Sequence, residues 1–260
     1  MITSSSNLKI KAVKDLLARR KEREEKKVFV IEGVRLAEEA LQTGWLPEEV
    51  LFSSQVSERG RGLVDAFSRE GVEVLEISPG LMDSLSDTDT SQGLLAVVLI
   101  RDLPLPDRLD FVLVADGLRD PGNLGAILRS AAAAGVQAVL LSPGTVDVFA
   151  PKVLRAGMGA QFRLPVRSFA WNQIRNLCKQ QPRPLTLYLA EAGQGISLWQ
   201  ANLQLPVALV VGGEAEGATA EGRAIIDQLI TIPMPGKSES LNAAIAASVL
   251  LFEVVRQRHI

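Results

Sequence analysis

Short apolar runs alternate with longer amphipathic stretches along the whole chain. Apolar runs bounded by glycine and polar residues predict strands, and stretches whose apolar positions return every three or four residues predict helices. The predicted strands are 28–31, 50–53, 72–77, 94–100, 111–115, 138–141, 185–190, 207–211 and 229–232, and the predicted helices are 8–25, 32–41, 57–69, 78–85, 123–134, 150–156, 171–180, 220–227 and 241–255. This alternation predicts an α/β fold.

A change in composition divides this pattern into two domains. Residues 101–108 contain two prolines and four charged residues, which is typical of a linker. Before the linker, residues 28–100 predict a compact α/β domain, preceded by a basic helical segment at 1–27. After the linker, residues 109–260 contain continuous apolar strands separated by helices, which predict a parallel sheet covered by helices on both faces.

Composition excludes several classes of protein. The chain has 260 residues, of which 47% are hydrophobic and 22% charged, as in globular proteins with substantial cores. Cys178 is the single cysteine and His259 the single histidine, so an internal disulfide, a Cys-rich zinc site and histidine-based catalysis are not expected, and no metal is predicted. No apolar run reaches the ~18 residues of a membrane span, and no signal peptide is recognised. These features favour a cytoplasmic location without a membrane partner.

The distribution of charge adds information that the formal net charge of −2 conceals. Residues 1–27 contain nine Lys or Arg and four Asp or Glu. One interpretation is an electrostatic contact with nucleic acid. The other is a solvated helix with i,i+4 ion pairs such as Glu22–Lys26. Charge alone does not decide between them.

Three polar motifs follow predicted strands of the second domain, where ligands of open α/β sheets bind. The first begins at Asp116, directly after the strand 111–115, and continues as Gly-Leu-Arg-Asp-Pro-Gly-Asn-Leu-Gly through Gly125. Its Pro-Gly pair predicts a turn, and Asn123 is a suitable cap for the following helix. Arg129 lies six residues further along that helix, about 1.5 turns away.

The second motif is Gly212-Gly213-Glu214-Ala215-Glu216-Gly217, after the strand 207–211. Three glycines around two carboxylates would let a ligand approach the backbone closely. The motif does not form a strict GxGxxG dinucleotide fingerprint, and alone it is more typical of a plain strand-to-helix turn.

The third motif follows the strand 229–232 and includes Ile232-Pro233-Met234, a short polar loop and Ser240-Leu241-Asn242. It ends at the start of an apolar helix that we expect to be buried. Backbone N–H groups and small polar side chains therefore converge at one helix terminus. Ser240 is a suitable helix cap, with Ser238 and Asn242 as alternatives.

Together and in this order, the three motifs resemble those of the SpoU/TrmH branch of the SPOUT methyltransferases. The resemblance also includes Arg129-Ser130-Ala131 and the terminal Glu253…Arg256-Gln257-Arg258. It implies a C-terminal SPOUT domain with a trefoil knot, an S-adenosyl-L-methionine cofactor and a homodimer that methylates a ribose 2′-hydroxyl of RNA.

The resemblance also implies which residues form the site. The implied catalytic residues are Asn123, Arg129, Glu214, Ser240 and Asn242. The implied cofactor-binding residues are Gly212, Gly213, Ile232, Met234 and Leu241. Arginine side chains stay protonated in proteins, so a neutral guanidine base is costly, and we expect Arg129 to clamp a phosphate while the small polar residues orient the hydroxyl. The resemblance also allows this arginine to act on the partner subunit's cofactor.

The first domain resembles the ribosomal-protein-like α/β substrate-binding domain that precedes many SpoU/TrmH catalytic domains. This second resemblance depends on Phe29-Val30-Ile31-Glu32-Gly33 and on the Thr90-Ser91-Gln92-Gly93-Leu94 loop. The two-domain organisation favours ribosomal RNA of the large-subunit, 23S type as the substrate, by analogy. The alternatives are transfer RNA as substrate, a catalytically silent RNA-binding protein on the same scaffold, or a nucleotide-dependent oxidoreductase.

Overall fold

The computed structural model describes residues 1–88, 90–213, 217–236 and 239–259. The chain forms two compact units. The N-terminal unit comprises Met1–Arg101 and Asp147–Phe162, and the C-terminal unit comprises Asp102–Val146 and Arg163–Ile260. The segment Asp147–Phe162 therefore belongs to the N-terminal unit although it lies well beyond the predicted linker at 101–108, a placement that the hydrophobic pattern did not predict.

The elements alternate as an α/β chain, which confirms the predicted fold class. The helices are α1 Leu8–Ala18, α2 Arg20–Lys26, α3 Val34–Gln42, α4 Glu58–Arg69, α5 Pro79–Leu85, α6 Pro121–Ala134, α7 Pro151–Gly157, α8 Trp171–Lys179, α9 Ala220–Arg223 and α10 Ala243–Arg258. The strands are β1 Val28–Glu32, β2 Pro47–Phe52, β3 Glu73–Glu76, β4 Leu94–Leu99, β5 Phe111–Asp116, β6 Ala138–Leu141, β7 Val166–Ser168, β8 Thr186–Ala190, β9 Ile196–Ser197, β10 Val207–Gly212 and β11 Gln228–Thr231. A 3-10 turn spans Ala160–Phe162.

The N-terminal unit contains a four-stranded mixed sheet in the order β1-β4-β2-β3. Strand β4 is antiparallel to both of its neighbours, and β2 and β3 are parallel. One buried cluster joins this sheet to α1 and α5 through Val13, Leu16, Val30, Met82 and Leu95. The apolar side of α1 therefore packs on the sheet as its amphipathic pattern requires.

The predicted single helix over 8–25 is wrong, because Arg19 adopts an extended conformation between α1 and α2. Arg23, only 4% exposed, donates a hydrogen bond to the carbonyl oxygen of Leu16 in the last turn of α1. Its guanidinium also pairs with Asp147 at 2.6 Å. The last carbonyls of a helix lack intrahelical partners, and the break lets Arg23 satisfy one of them.

Most basic side chains of the N-terminal helices are paired. The predicted Glu22–Lys26 pair is present at 3.0 Å, beside i,i+4 pairs that join Arg20 to Glu24 and Lys21 to Glu25. Part of the positive charge of this segment is therefore already compensated within the solvated helices.

The two sequence stretches that carried the first-domain resemblance meet in the N-terminal unit. The side-chain oxygen of Gln92 accepts a hydrogen bond from the backbone N–H of Val34, at the start of α3. This helix was predicted to begin at 32 but begins two residues later, because Glu32 still belongs to β1 and Gly33 turns the chain with φ +93°. The Glu32 carboxylate accepts a hydrogen bond from Thr88 at 3.0 Å.

The C-terminal unit contains a seven-stranded sheet in the order β7-β6-β5-β10-β8-β11-β9. Every pair of neighbouring strands is parallel, which confirms the predicted parallel sheet. The pattern missed β7 and β9, which are only three and two residues long. Because the strands are parallel, the carboxyl ends of β5, β8, β10 and β11 lie at one edge.

Helix α10 is the last element of the C-terminal unit and packs against α6. The hydroxyls of Ser130 and Ser248 form a hydrogen bond of 2.8 Å between these two helices. The helix begins at Ala243 and ends at Arg258, three residues beyond the predicted end. Among the described residues, no helix combines the length and apolar character required to cross a membrane.

Candidate active site

A cavity of about 350 Å³ lies at the carboxyl-end edge of the parallel sheet in the C-terminal unit. It is formed by the residues that end β8, β10 and β11 and by the start of α10. Val211, Ile230, Ile232, Met234 and Leu241 supply apolar walls. Its volume falls within the range of about 300–1,000 Å³ that is common for small-molecule sites.

All five residues predicted to bind the cofactor line this cavity. They are Gly212, Gly213, Ile232, Met234 and Leu241. A Cβ atom at Gly212 would lie 2.5 Å from the carbonyl carbon of Gly217, so only glycine fits there. Gly213 and Gly217 exchange backbone hydrogen bonds of 3.1 and 3.0 Å. Gly213 and Gly217 are therefore joined directly, and the glycines leave backbone facing the cavity.

The first and third motifs meet through two asparagines. The Asn242 side-chain amide donates a hydrogen bond of 3.0 Å to the side-chain oxygen of Asn123. Its own oxygen accepts bonds from the backbone N–H groups of Ala244 and Ile245, so Asn242, rather than Ser240, caps α10. An amide side chain has both a donor and an acceptor, so it serves both partners at once.

The predicted cap of α6 is also wrong. Helix α6 begins at Pro121, and Asp120 caps it by accepting a hydrogen bond of 2.7 Å from the backbone N–H of Asn123. The helix starts two residues before the predicted position because proline is well suited to the first helical turn. The Asn123 side chain is thus available for the contact with Asn242.

The remaining three predicted catalytic residues are placed differently. Ser240 is exposed and lines the cavity. Arg129 is exposed on α6, is not among the lining residues, and forms no hydrogen bond or ion pair with any residue that the structure describes. Glu214 lies outside the described residues. The structure therefore places Ser240 and Asn242 in the cavity lining, holds Asn123 next to the lining through its hydrogen bond with Asn242, and leaves Arg129 facing solvent.

A buried carboxylate that received no role from the sequence organises the loop beside the cavity. Asp116, fully buried at the end of β5, accepts hydrogen bonds from the backbone N–H of Thr219 at 2.7 Å and from Ser142 Oγ at 2.8 Å. The Thr219 hydroxyl donates to Asp116 and accepts from Trp171 Nε1. These bonds fix the residues that lead into α9. A charged residue directly after an apolar strand was the sequence feature that could have identified Asp116.

An ion pair within the cavity wall was also missed. Glu191, one residue beyond β8, and Arg223, the last residue of α9, both line the cavity. Arg223 donates two parallel hydrogen bonds of 2.6 and 2.9 Å to the carboxylate. The hydrogen bond from Arg223 holds the pKa of the Glu191 carboxyl below its ordinary value, although burial opposes this shift. Glu191 is therefore a charged acceptor at neutral pH.

Comparison with known protein families identifies the class. The model of the SpoU rRNA Methylase family matches residues 110–252, which is more than half of the chain. The chain belongs to this family, and the resemblance inferred from the three motifs is confirmed. The model of the MRM3-like substrate binding domain matches residues 7–96.

Individual relatives extend over much or nearly all of the chain. The 23S rRNA (guanosine(2553)-2′-O)-methyltransferase RlmP of Bacillus subtilis is 32% identical and aligns with 97% of this chain and 98% of its own length. The 23S rRNA (guanosine-2′-O-)-methyltransferase RlmB of Xylella fastidiosa is 40% identical over 73% of this chain and 80% of its own length. The SpoU methyltransferase AviRb of Streptomyces viridochromogenes, solved in complex with AdoMet, is 28% identical, covering 97% of this chain and 98% of its own, with a TM-score of 0.87.

Proposed function

We propose that this protein transfers a methyl group from S-adenosyl-L-methionine to a ribose 2′-hydroxyl of ribosomal RNA of the 23S type. The observation that supports this function most directly is the cavity in the C-terminal unit, which gathers residues of the second and third motifs and adjoins the first motif through Asn123. The relatives RlmP and RlmB are named as 23S rRNA 2′-O-methyltransferases.

The residues of the cavity fit an adenosine-containing cofactor. The apolar walls and the backbone of Gly212 and Gly213 suit a flat base. S-adenosyl-L-methionine supplies an electrophilic methyl group on a sulfonium. The protein then has to align the acceptor hydroxyl and assist loss of its proton. We assign the alignment to Asn123, Ser240 and Asn242.

Arg129 would clamp a phosphate of the target RNA. Its exposure and its lack of a partner among the described residues leave the guanidinium available for a bidentate contact. Glu214, the second acidic candidate, would orient Arg129 or a nearby donor. The variant Arg129→Lys should lose most activity because an ammonium cannot reproduce the planar fork, and near-normal turnover would contradict the clamp.

The N-terminal unit would bind structured RNA through phosphates and shape. Lys11 and Lys14 lie one turn apart on α1, and Arg35 lies in α3. All three are exposed and have no ion-pair partner among the residues that the structure describes. No ion pair with a described residue compensates their charge, whereas many other basic residues of the segment are paired.

We propose further that the protein is a cytoplasmic homodimer whose C-terminal unit contains the trefoil knot implied by the resemblance, and that it needs no metal. Ile245 and Phe252, seven residues apart on α10, are 54% and 49% exposed. Residues seven apart lie on the same helical face, and exposed apolar patches favour a protein partner. A second copy of the chain would cover them. Sedimentation analysis of Phe252→Glu should show monomers, whereas an unchanged mass would place the interface elsewhere.

The test of the proposed function is transfer of tritiated methyl groups from S-adenosyl-L-methionine to unmodified 23S-type ribosomal RNA and, separately, to transfer RNA. Alkali-resistant label in ribosomal RNA, lost in Asn123→Ala and Arg129→Ala, is the expected result. Label confined to transfer RNA would favour the alternative substrate. Retained cofactor binding with no label in either RNA would favour the catalytically silent RNA-binding scaffold. Nicotinamide-nucleotide binding instead of S-adenosyl-L-methionine binding would favour an oxidoreductase.

A further inference from the structure

The cavity wall contains one pair of charges that the proposed mechanism leaves without a role. Among the described residues that line the cavity, Glu191 and Arg223 are the charged ones. Their pairing is bidentate, and the Glu191 side chain is 19% exposed. An isolated exposed ion pair contributes little to stability, so its position in the wall of a ligand cavity requires another explanation.

The backbone of this region fixes the position of both side chains. The Glu191 N–H donates to the carbonyl oxygen of Ile230 at 2.9 Å, which continues the β8–β11 pairing by one residue. Arg223 ends α9, the helix that Thr219 caps and that Asp116 holds through Thr219. The backbone and the ion pair therefore hold the carboxylate at a defined point of the cavity wall.

The Glu191–Arg223 ion pair favours a ligand that offers neutral hydrogen-bond donors. A carboxylate has about four lone-pair positions, of which Arg223 occupies two, so two acceptor positions remain. A cationic ligand group would bring a second positive charge beside the guanidinium, which is unfavourable. Two adjacent hydroxyl donors match the remaining positions without adding charge, and a ribose provides this 2′,3′-diol.

We propose that Glu191 accepts hydrogen bonds from the ribose hydroxyls of the cofactor and that Arg223 holds its carboxylate in place for this contact. This inference rests on the proposed function, because it names the part of S-adenosyl-L-methionine that this wall of the cavity recognises. Arg223 is a positioning residue, and Glu191 determines the preference of the site for ribose over deoxyribose.

The experiment measures equilibrium binding by titration calorimetry on the full chain, without RNA and without turnover. The ligands are S-adenosylhomocysteine and its 2′-deoxy and 3′-deoxy forms. Loss of a hydrogen bond to a charged acceptor should weaken binding of each deoxy ligand to the wild-type protein by about ten- to a hundredfold. In Glu191→Gln, the preference for the ribose ligand should fall to about threefold or less.

A matched control distinguishes recognition from general loss of an ion pair. Glu38 in the N-terminal unit is also 19% exposed at its side chain and pairs with both Nε and Nη2 of Arg59. Glu38→Gln should keep the full preference for ribose. If Glu191→Gln also keeps it, or if the wild-type protein shows no preference, Glu191 does not bind the ribose.

The binding experiment distinguishes an error in the role of Glu191 from an error in the proposed function. A wild-type protein that binds S-adenosylhomocysteine without preference overturns the role of Glu191 and leaves the methyltransferase assignment standing. A wild-type protein that binds none of the three ligands overturns both. The comparison of ligands on the wild-type protein does not depend on whether the Glu191 variant folds.

Discussion

Residues at both ends of α10 contributed to the family resemblance, but the two ends lie in different environments. At the N-terminal end, Ser240, Leu241 and Asn242 are exposed and line the cavity. At the C-terminal end, Glu253 is only 5% exposed and lies far along the helix from the cavity. Family motifs therefore mark both the residues that form a site and the residues that hold the helix bearing it.

The contacts of Glu253, Arg256, Gln257 and Arg258, here named the C-terminal polar cluster, show how the helix is held. Glu253 accepts hydrogen bonds from Arg256 at 2.7 and 2.8 Å and from Gln257 at 2.8 Å. Gln257 also accepts from the backbone N–H of Leu203 at 2.8 Å. The cluster thus joins the last turn of α10 to the loop before β10.

Arg258 makes the largest share of these connections. Its guanidinium donates to the carbonyl oxygens of Leu203, Leu205 and Asp110, and it pairs with the Asp110 carboxylate at 2.9 Å. Its central carbon also lies 5.1 Å from the centre of the Phe111 ring. A five-donor fork is suited to several carbonyls at once, which explains why arginine occupies this position.

The largest expected effect on activity comes from substitutions at the N-terminal end of α10, which borders the cavity. Asn242→Ala should reduce single-turnover methyl transfer by about 100-fold, because loss of the bond to Asn123 misplaces the reacting groups. Loss of the helix cap should lower the free energy of unfolding by only about 1 kcal/mol. Denaturant titration measures the second quantity.

Two further variants sharpen this prediction. Asn242→Asp keeps an acceptor for the cap but loses the donor to Asn123, so it should keep stability and lose activity. Asn202, another exposed asparagine that accepts a backbone hydrogen bond, provides the control variant Asn202→Ala, which should retain activity. Normal turnover in Asn242→Asp would mean that Asn242 only caps the helix.

Changes at the C-terminal end of α10 should have the opposite effect, a large loss of stability without loss of ligand binding. Arg258→Ala should lower the free energy of unfolding by about 2–3 kcal/mol, because several carbonyls lose their donor. Binding of S-adenosylhomocysteine by the folded fraction should be unchanged. Arg175→Ala, at an exposed position on α8, is the control and should shift unfolding by at most about 0.5 kcal/mol. Unchanged stability in Arg258→Ala would refute the role of the cluster.

The smallest expected effect is a dependence of stability on pH. The hydrogen bond from Arg256 holds the pKa of the Glu253 carboxyl below its ordinary value of 4.5, although burial opposes this shift. Because the folded-state pKa is lowered, this stabilisation is fully present above pH 4.5 and is lost as the pH falls through the folded-state value.

Urea unfolding between about pH 6 and pH 3 tests this dependence. Glu253→Gln should show a shallower loss of stability with acid than the wild-type protein, since glutamine does not titrate. An identical slope in both proteins would show that Glu253 contributes nothing to the acid response.

By itself, the sequence determined the fold class, the parallel sheet and the segments that surround the cavity. Hydrophobic periodicity is local, so it identifies strands such as β5 and β10 without reference to the rest of the chain. The rule that ligands bind at the carboxyl ends of parallel strands then places Gly212 and Leu241 near one another.

Only the tertiary structure decided which polar side chains meet. Asn242 and Asn123 are 119 residues apart, and Asp116 and Thr219 are 103 residues apart. Each contact depends on a strand order in which β10 lies between β5 and β8, and no local pattern specifies that order. The same reason explains the mistaken caps, because a side chain selects its partner from everything that folding brings near it.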